Sequence, residues 1–202
     1  MSDDHSDADD APPIATDGGS SPSADDLDEN VSHRFDRLAP TDAERTVEGR
    51  PSRATVLSWW EERFGIPPAT FENHTFWEKG NGKLWVLAGD DADPSEVEAM
   101  GATVLRTRQE HWKPTTDAVQ RFGHLATKNV IDLDLAEAER FAAGEDQDIE
   151  RWDGDWGYLI AAHELPRETA DDADGERAIL GVGLYVHGEL RSTVPKGRRR
   201  DL

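Results

Sequence analysis

The first 52 residues constrain the fold most, through what they lack. They are rich in Asp, Ser, Ala and Pro, hold few large apolar side chains, and carry 14 acidic against 4 basic residues. Such a segment cannot bury enough apolar surface to offset the entropy lost on ordering, so residues 1–52 are expected to form a disordered acidic tail. A fold then has to be built from residues 53–202, which allows one ordinary domain or two small ones. Seven tryptophans and six phenylalanines are available to seed its core.

Order is expected to begin near Arg53. In TVLSWWEERFGIPPATF, Val56, Leu57, Trp60 and Phe64 recur at helical spacing, and Gly65 with the Pro67–Pro68 pair stops the helix. KLWVLAG (Lys83–Gly89) reads as a strand, PSEVEAMG as a short helix from Pro94 to Gly101, and ATVLRTR (Ala102–Arg108) as a second strand. Residues 53–110 are thereby expected to make a small α/β unit. Residues 111–202 read as a second unit. It has a helix over Thr115–Ala126, a strand over Asn129–Leu133 and a helix ending at Gly144. Strands over Trp156–His163 and Ala178–Gly188 follow, and LRSTVPK returns as a short final strand. Short strands with glycine-marked turns and one or two helices point to a small mixed β-barrel, giving an α+β protein overall. Gly181 and Gly183, two apart on one strand face, permit a bend or the close approach of another backbone.

The chain carries a formal net charge of -21. Acidity persists beyond the tail, where 29 acidic residues face 18 basic ones, and only five of the chain's basic residues are lysines. This balance fits a salt-rich cytoplasm, where a Debye length of about 3 Å at 1 M salt screens self-repulsion. The start, MSDDHSDADD, has neither the basic nor the apolar region of a signal peptide, and no stretch has the length and apolarity of a membrane span, so a cytoplasmic protein without membrane contact is expected. There is no cysteine, which excludes disulfides, thiolate metal sites and cysteine nucleophiles. Nucleotide-binding glycine loops, nucleophile elbows and zinc-binding histidine pairs are missing as well. A non-enzymatic protein without cofactor or metal is the expectation.

The positive signal is a set of cations. From Arg191 to Leu202 five basic side chains face one acid, against the sign of the whole chain. Arg191, Lys196, Arg198, Arg199 and Arg200 are therefore candidates for holding a polyanion, joined by Lys113, Arg121 and Lys128 around the Thr115–Ala126 helix. Lys and Arg contacts to the backbone, with bases stacked on aromatic rings, are how small barrels hold RNA. Trp59, Trp60, Trp77, Trp85 and Trp156 lie in periodic segments and are expected in the core. Trp112 and Trp152 sit beside polar loops and read either as partly buried rim residues or as stacking platforms.

The run NVIDLDLAEAERFAAGEDQDIERWDGDWGYLIAAH, followed by LGVGLYVHGELRSTVPKGRR, resembles the C-terminal PUA-like RNA-binding domain of the Fmu/Sun (RsmF-type) RNA cytosine methyltransferases. The matching positions are Glu137 to Glu145, Gly157–Tyr158, Leu180 to Gly183, and Gly188 through Pro195, Lys196, Gly197 and Arg198. SWWEERFGIPPATFENHTFWEKGNGKLWVL and KPTTDAVQRFGHLATKN are similar to short stand-alone archaeal ribosome-biogenesis proteins of the same group. The resemblance covers residues 55–200. It implies an α/β pre-PUA unit, a PUA-like barrel, and binding of structured RNA, with rRNA or pre-ribosomal particles as targets and no DNA. Lys196 and Arg198 are the cations that the resemblance carries over. Methyltransfer is not implied, because the family's two cysteines and its AdoMet-binding domain have no counterpart here. The rival expectation is a protein-binding targeting or assembly subunit for a separate RNA methyltransferase.

Overall fold

The computed structural model describes residues 34–80, 82–89, 97–165 and 177–199. Within these the protein is α+β, with two five-stranded sheets and three α-helices. The first sheet is an antiparallel meander, β1 (Asp36–Arg37), β2 (His74–Glu78), β3 (Lys83–Ala88), β4 (Ala102–Arg106) and β5 (Lys113–Pro114). The second runs in the order β6 (Val130–Asp132), β8 (Gly157–Glu164), β9 (Arg177–Val186), β10 (Glu189–Ser192), β7 (Gln147–Asp148). Its β6–β8 pair is parallel and the rest antiparallel, so the sheet is mixed as expected. It curls into a half-barrel rather than closing, because β6 and the two-residue β7 end it as edges without pairing to each other.

Helix α1 (Arg53–Phe64) follows the expected pattern. Ser52 accepts a hydrogen bond from the Thr55 amide, and Val56, Leu57, Trp60 and Phe64 are buried. It stops at Gly65, whose φ of +67° is left-handed and whose added Cβ would sit 2.0 Å from Thr127 Oγ1. α2 (Thr116–Phe122) continues into a 3-10 turn over Gly123–Leu125, and Thr115 caps it by accepting from the Ala118 amide. α3 (Leu135–Ala143) carries a capping box, with Asp134 and Glu137 satisfying each other's backbone amides. Glu137 also takes both guanidinium nitrogens of Arg151, and these bonds hold its carboxyl below the usual glutamate range.

One core runs through both sheets. Phe71, Phe76 and Val104 from the first half pack with Ile160 and Val182 from the second, and α2 supplies Ala118, Val119 and Phe122 between them. No gap separates residues 110 and 111. β5 is the last strand of the first sheet, and the helix after it belongs to the shared core. A second cluster lies on the other face of the half-barrel, where Phe141 of α3 meets Leu159, Tyr185 and Leu190. At Gly183 it is a side chain and not a backbone that comes close, since an added Cβ would meet Leu190 Cδ1 at 2.5 Å. A register shift between Ala161 and Ala162, opposite Gly181, gives the bend.

Several expectations change. Residues 34–52, assigned to the tail, are part of the fold. Phe35 and Leu38 are buried, and β1 pairs with β2. The two apolar side chains are too few to show against the acidic background, yet they close one edge of the sheet. The expectation for residues 1–33 lies outside the described residues. So do the first residues of the helix assigned to 94–101, and residues 97–101 are not helical. β2 carries no clear strand pattern in the sequence, because His74, Thr75 and Glu78 mask it, although Phe76 and Trp77 are buried. Among the described residues no helix is long and apolar enough to cross a membrane.

Candidate nucleic-acid interface

A cleft of about 570 Å³ opens where the half-barrel leaves the shared core. Helix α1 lends Trp59 and Arg63 to it, the segment before β5 lends Glu110, His111 and Trp112, and the half-barrel lends Trp156, Tyr158, Leu184 and Val186. The alternation of β8 and β9 explains this wall. Ile160 and Val182, on the same face as Tyr158 and Leu184, enter the core, while the residues two positions along stand beyond its edge. Trp59 and Trp112 stack at a tilt with ring centres 5.9 Å apart, so two rings from distant segments form one surface. Trp156 stands at the mouth, 59% exposed, its ring 4.7 Å from that of His187 in an edge-to-face arrangement. His187 and Gly188, with φ of +54° and +88°, form the two-residue turn that presents the imidazole there.

The wall is held from behind by Arg63. Its guanidinium donates to the Trp156 carbonyl at 2.9 Å, to the Tyr158 carbonyl at 2.9 and 3.3 Å, and to the Asp155 carboxylate at 3.3 Å. Asn129 donates both to the Arg63 carbonyl, at 2.7 Å, and to Asp155, at 3.1 Å. Burial draws the Arg63 pKa below its ordinary value, with Asp155 opposing. Arg63 is therefore committed to shaping the cleft.

Lys113 is the cation over the rings. Its Nζ lies 5.6 Å from the centre of the Tyr158 ring, and Arg106 is its cross-strand partner. Burial first, and Arg106 second, lower the Lys113 pKa, while burial raises that of the Tyr158 phenol. Among the described residues neither Lys113 nor Arg106 has a carboxylate partner. Arg191 closes the row at the far side. Tyr158 pairs with Leu184 and Leu184 with Arg191, and residues directly opposite in an antiparallel sheet share a face. Arg191 is bridged to Glu189 on its own strand.

The other candidate cations are spread over the surface. Lys196 and Arg198 form the 3-10 turn after β10, and Arg198 pairs with Asp117 in the first turn of α2 at 2.8 Å. Arg199 donates to the Val194 carbonyl at 3.3 Å and lies over Gly144, the left-handed cap of α3. Arg200 lies outside the described residues. Arg121 is exposed on the last turn of α2, and Lys128 is exposed where its amide caps the Phe64 carbonyl at the end of α1. None of the seven described candidate cations lines the cleft itself; Lys113 lies over its Tyr158 ring, and Arg191 shares the sheet face of Tyr158 and Leu184.

Of the five tryptophans expected in the core, Trp60 and Trp77 are buried, and Trp59 and Trp85 are half-buried against core clusters. Trp156 is not in the core. β8 begins at Gly157, whose φ of +103° turns the chain, so Trp156 belongs to the preceding Asp153–Gly154–Asp155 loop. That loop composition was the available signal. Trp112 and Trp152 are half-buried at polar loops, Trp152 donating from its indole to the Asp155 carbonyl. Among the described residues no group of three or more His, Asp or Glu side chains is placed to hold a metal ion.

A family of unknown function, DUF7122, matches residues 23–101, and no curated protein matches the chain. The matched stretch contains α1 and β1–β3 and supplies Trp59 and Arg63 to the cleft. Trp112, Trp156 and Tyr158 lie beyond it.

Proposed function

We propose that this is a non-catalytic RNA-binding protein, acting on rRNA or pre-ribosomal particles in ribosome biogenesis or rRNA modification. The observation that carries the reading is the placement of Lys113, with Arg106 opposite it, over Tyr158 of a ring-lined cleft in a chain of net charge -21. An acidic surface repels RNA, so cations gathered at one aromatic face select where the strand can approach. In concentrated salt, counterion release drives binding weakly, since each phosphate contact contributes a slope of about -0.7 to -0.9 in log affinity against log salt. Stacking on the rings then supplies affinity, and the cations fix register.

Filter binding of rRNA fragments in molar KCl is the test. The Lys113→Glu, Arg191→Glu double variant is expected to weaken binding at least tenfold. Equal binding by this variant and the wild type overturns the proposal. So does association with a pre-ribosome or methyltransferase that survives RNase, which would support the targeting-subunit alternative.

A further inference from the structure

The cleft joins two kinds of surface. Its lining is mostly indole, phenol and aliphatic, from Trp59, Trp112, Tyr158 and Leu184, with Arg63, Glu110 and His111 as its charged or titratable members, and Lys113 stands over the Tyr158 ring. Lys113 stands over Tyr158 of β8, and Arg191 of β10 lies two strands from Tyr158 on the same sheet face, across Leu184 of β9. Strands in a sheet lie about 4.8 Å apart, so the Arg191 backbone is roughly 10 Å from that of Tyr158.

We propose that the cleft receives one base splayed out of a single-stranded RNA segment. The base lies among Trp156, Trp112 and Tyr158, and the flanking phosphates rest on Lys113 with Arg106 at one border and on Arg191 at the other. The inference rests on the RNA-binding reading above and adds the form of RNA that the site accepts.

Three observations carry it. The cleft is of ordinary size for a small ring-bearing ligand, within the range of about 300–1,000 Å³. A duplex keeps its bases stacked and paired inside, so only an unstacked base can enter a walled recess, and aromatic platforms take such bases with little regard to sequence. Charge complementarity then chooses RNA over an apolar peptide. Lys113 holds a charge against the cost of burial and has no carboxylate partner among the described residues. A phosphate placed there would answer that charge. Arg63 is a positioning residue, because its donors are spent on the backbone carbonyls that hold Trp156 and Tyr158 in place.

The test titrates the full-length protein with three probes in molar KCl. They are a fluorescein-labelled single-stranded RNA decamer of mixed sequence, the blunt duplex of that decamer, and AMP. The single strand is expected to bind at least tenfold more tightly than the duplex. Trp156→Ala is expected to weaken it by roughly 5- to 160-fold, the equivalent of one stacked base. Trp156 is exposed, so the variant should keep its thermal midpoint. Ultraviolet crosslinks to the decamer are expected at the cleft rings and not at residues 196–199, a readout that does not depend on any substitution. Equal affinity for strand and duplex, no effect of Trp156→Ala, or crosslinks confined to the terminal run overturns the inference while RNA binding stands. AMP binding as tightly as the decamer overturns it in favour of a free nucleotide. If no RNA binds at all, the RNA-binding reading itself falls and the cleft is left to a protein partner.

Discussion

The terminal basic run and the cleft both hold cations, but they use them differently. In the run, Arg198 is bridged to Asp117 of α2 and Arg199 covers the end of α3, where a cation also meets the negative end of the helix dipole. These residues fasten the chain after β10 to two helices. At the cleft, Lys113 sits half-buried over Tyr158 with no carboxylate bridged to it among the described residues. A reversal of charge along the sequence therefore marks an unusual segment without locating a site. A cation desolvated against rings is the more informative sign, because an unanswered charge is costly to bury.

The strongest test of this contrast is Arg63→Ala. Hydrogen bonds from a charged donor contribute about 1.5–3 kcal/mol each, and this one guanidinium serves the carbonyls of both Trp156 and Tyr158. A stability loss of about 2–3 kcal/mol in urea unfolding is expected, after discounting for its partial exposure. RNA affinity should fall along with stability even where the variant is fully folded. Unchanged affinity would show that the cleft wall does not depend on this strut.

Gly144→Ala probes the other region. The site has a φ of +84°, and an added Cβ would lie 2.3 Å from Arg199 Nε. A left-handed backbone costs a residue with a Cβ about 1–2 kcal/mol, and Arg199 must move as well. A loss of about 2 kcal/mol is expected, with RNA affinity per folded molecule unchanged. A parallel loss of affinity would return the terminal run to the binding site.

How far these two regions could be read from sequence differs for a physical reason. Helical periodicity and caps are local, so α1 was legible from Val56, Leu57, Trp60 and Phe64, and α3 from the Gly144 that ends it. The strands rich in apolar residues, such as Lys83–Ala88, were legible for the same reason. β1 and β2 were not, since their burial depends on partners far along the chain. The division at residue 110 had no local signal against it either, because the shared core is made by long-range packing of Ile160 and Val182 against the first half. The cleft is non-local throughout. Trp59, Trp112 and Tyr158 meet only after α1, the first sheet and the half-barrel have come together, and of the seven described candidate cations Lys113 contacts the Tyr158 ring and Arg191 shares its sheet face.

The titration of Lys113 separates the regions without altering either fold. Burial and Arg106 lower its pKa from the ordinary 10.5, so in the folded protein it loses its proton at a pH where an unfolded chain keeps it. Within that window the unfolded state binds more protons, and stability rises with pH as the cost of the buried charge is relieved. RNA binding should move the opposite way, weakening several-fold as the cation over Tyr158 is neutralised below pH 10.5. Lys113→Arg, which keeps its charge, is expected to flatten the binding curve.

The smallest effect belongs to Arg198→Ala. Its bridge to Asp117 is about half exposed on both sides, and exposed pairs contribute about 0–1 kcal/mol, less in high salt. A change in thermal midpoint near the limit of measurement is expected, together with a small drop in RNA affinity that vanishes as KCl is raised. The Trp156→Ala loss should persist at the same salt, because stacking carries no net charge to screen. If the two losses instead fade together as salt increases, the cleft binds by charge alone and its difference from the terminal run is one of position, not of mechanism.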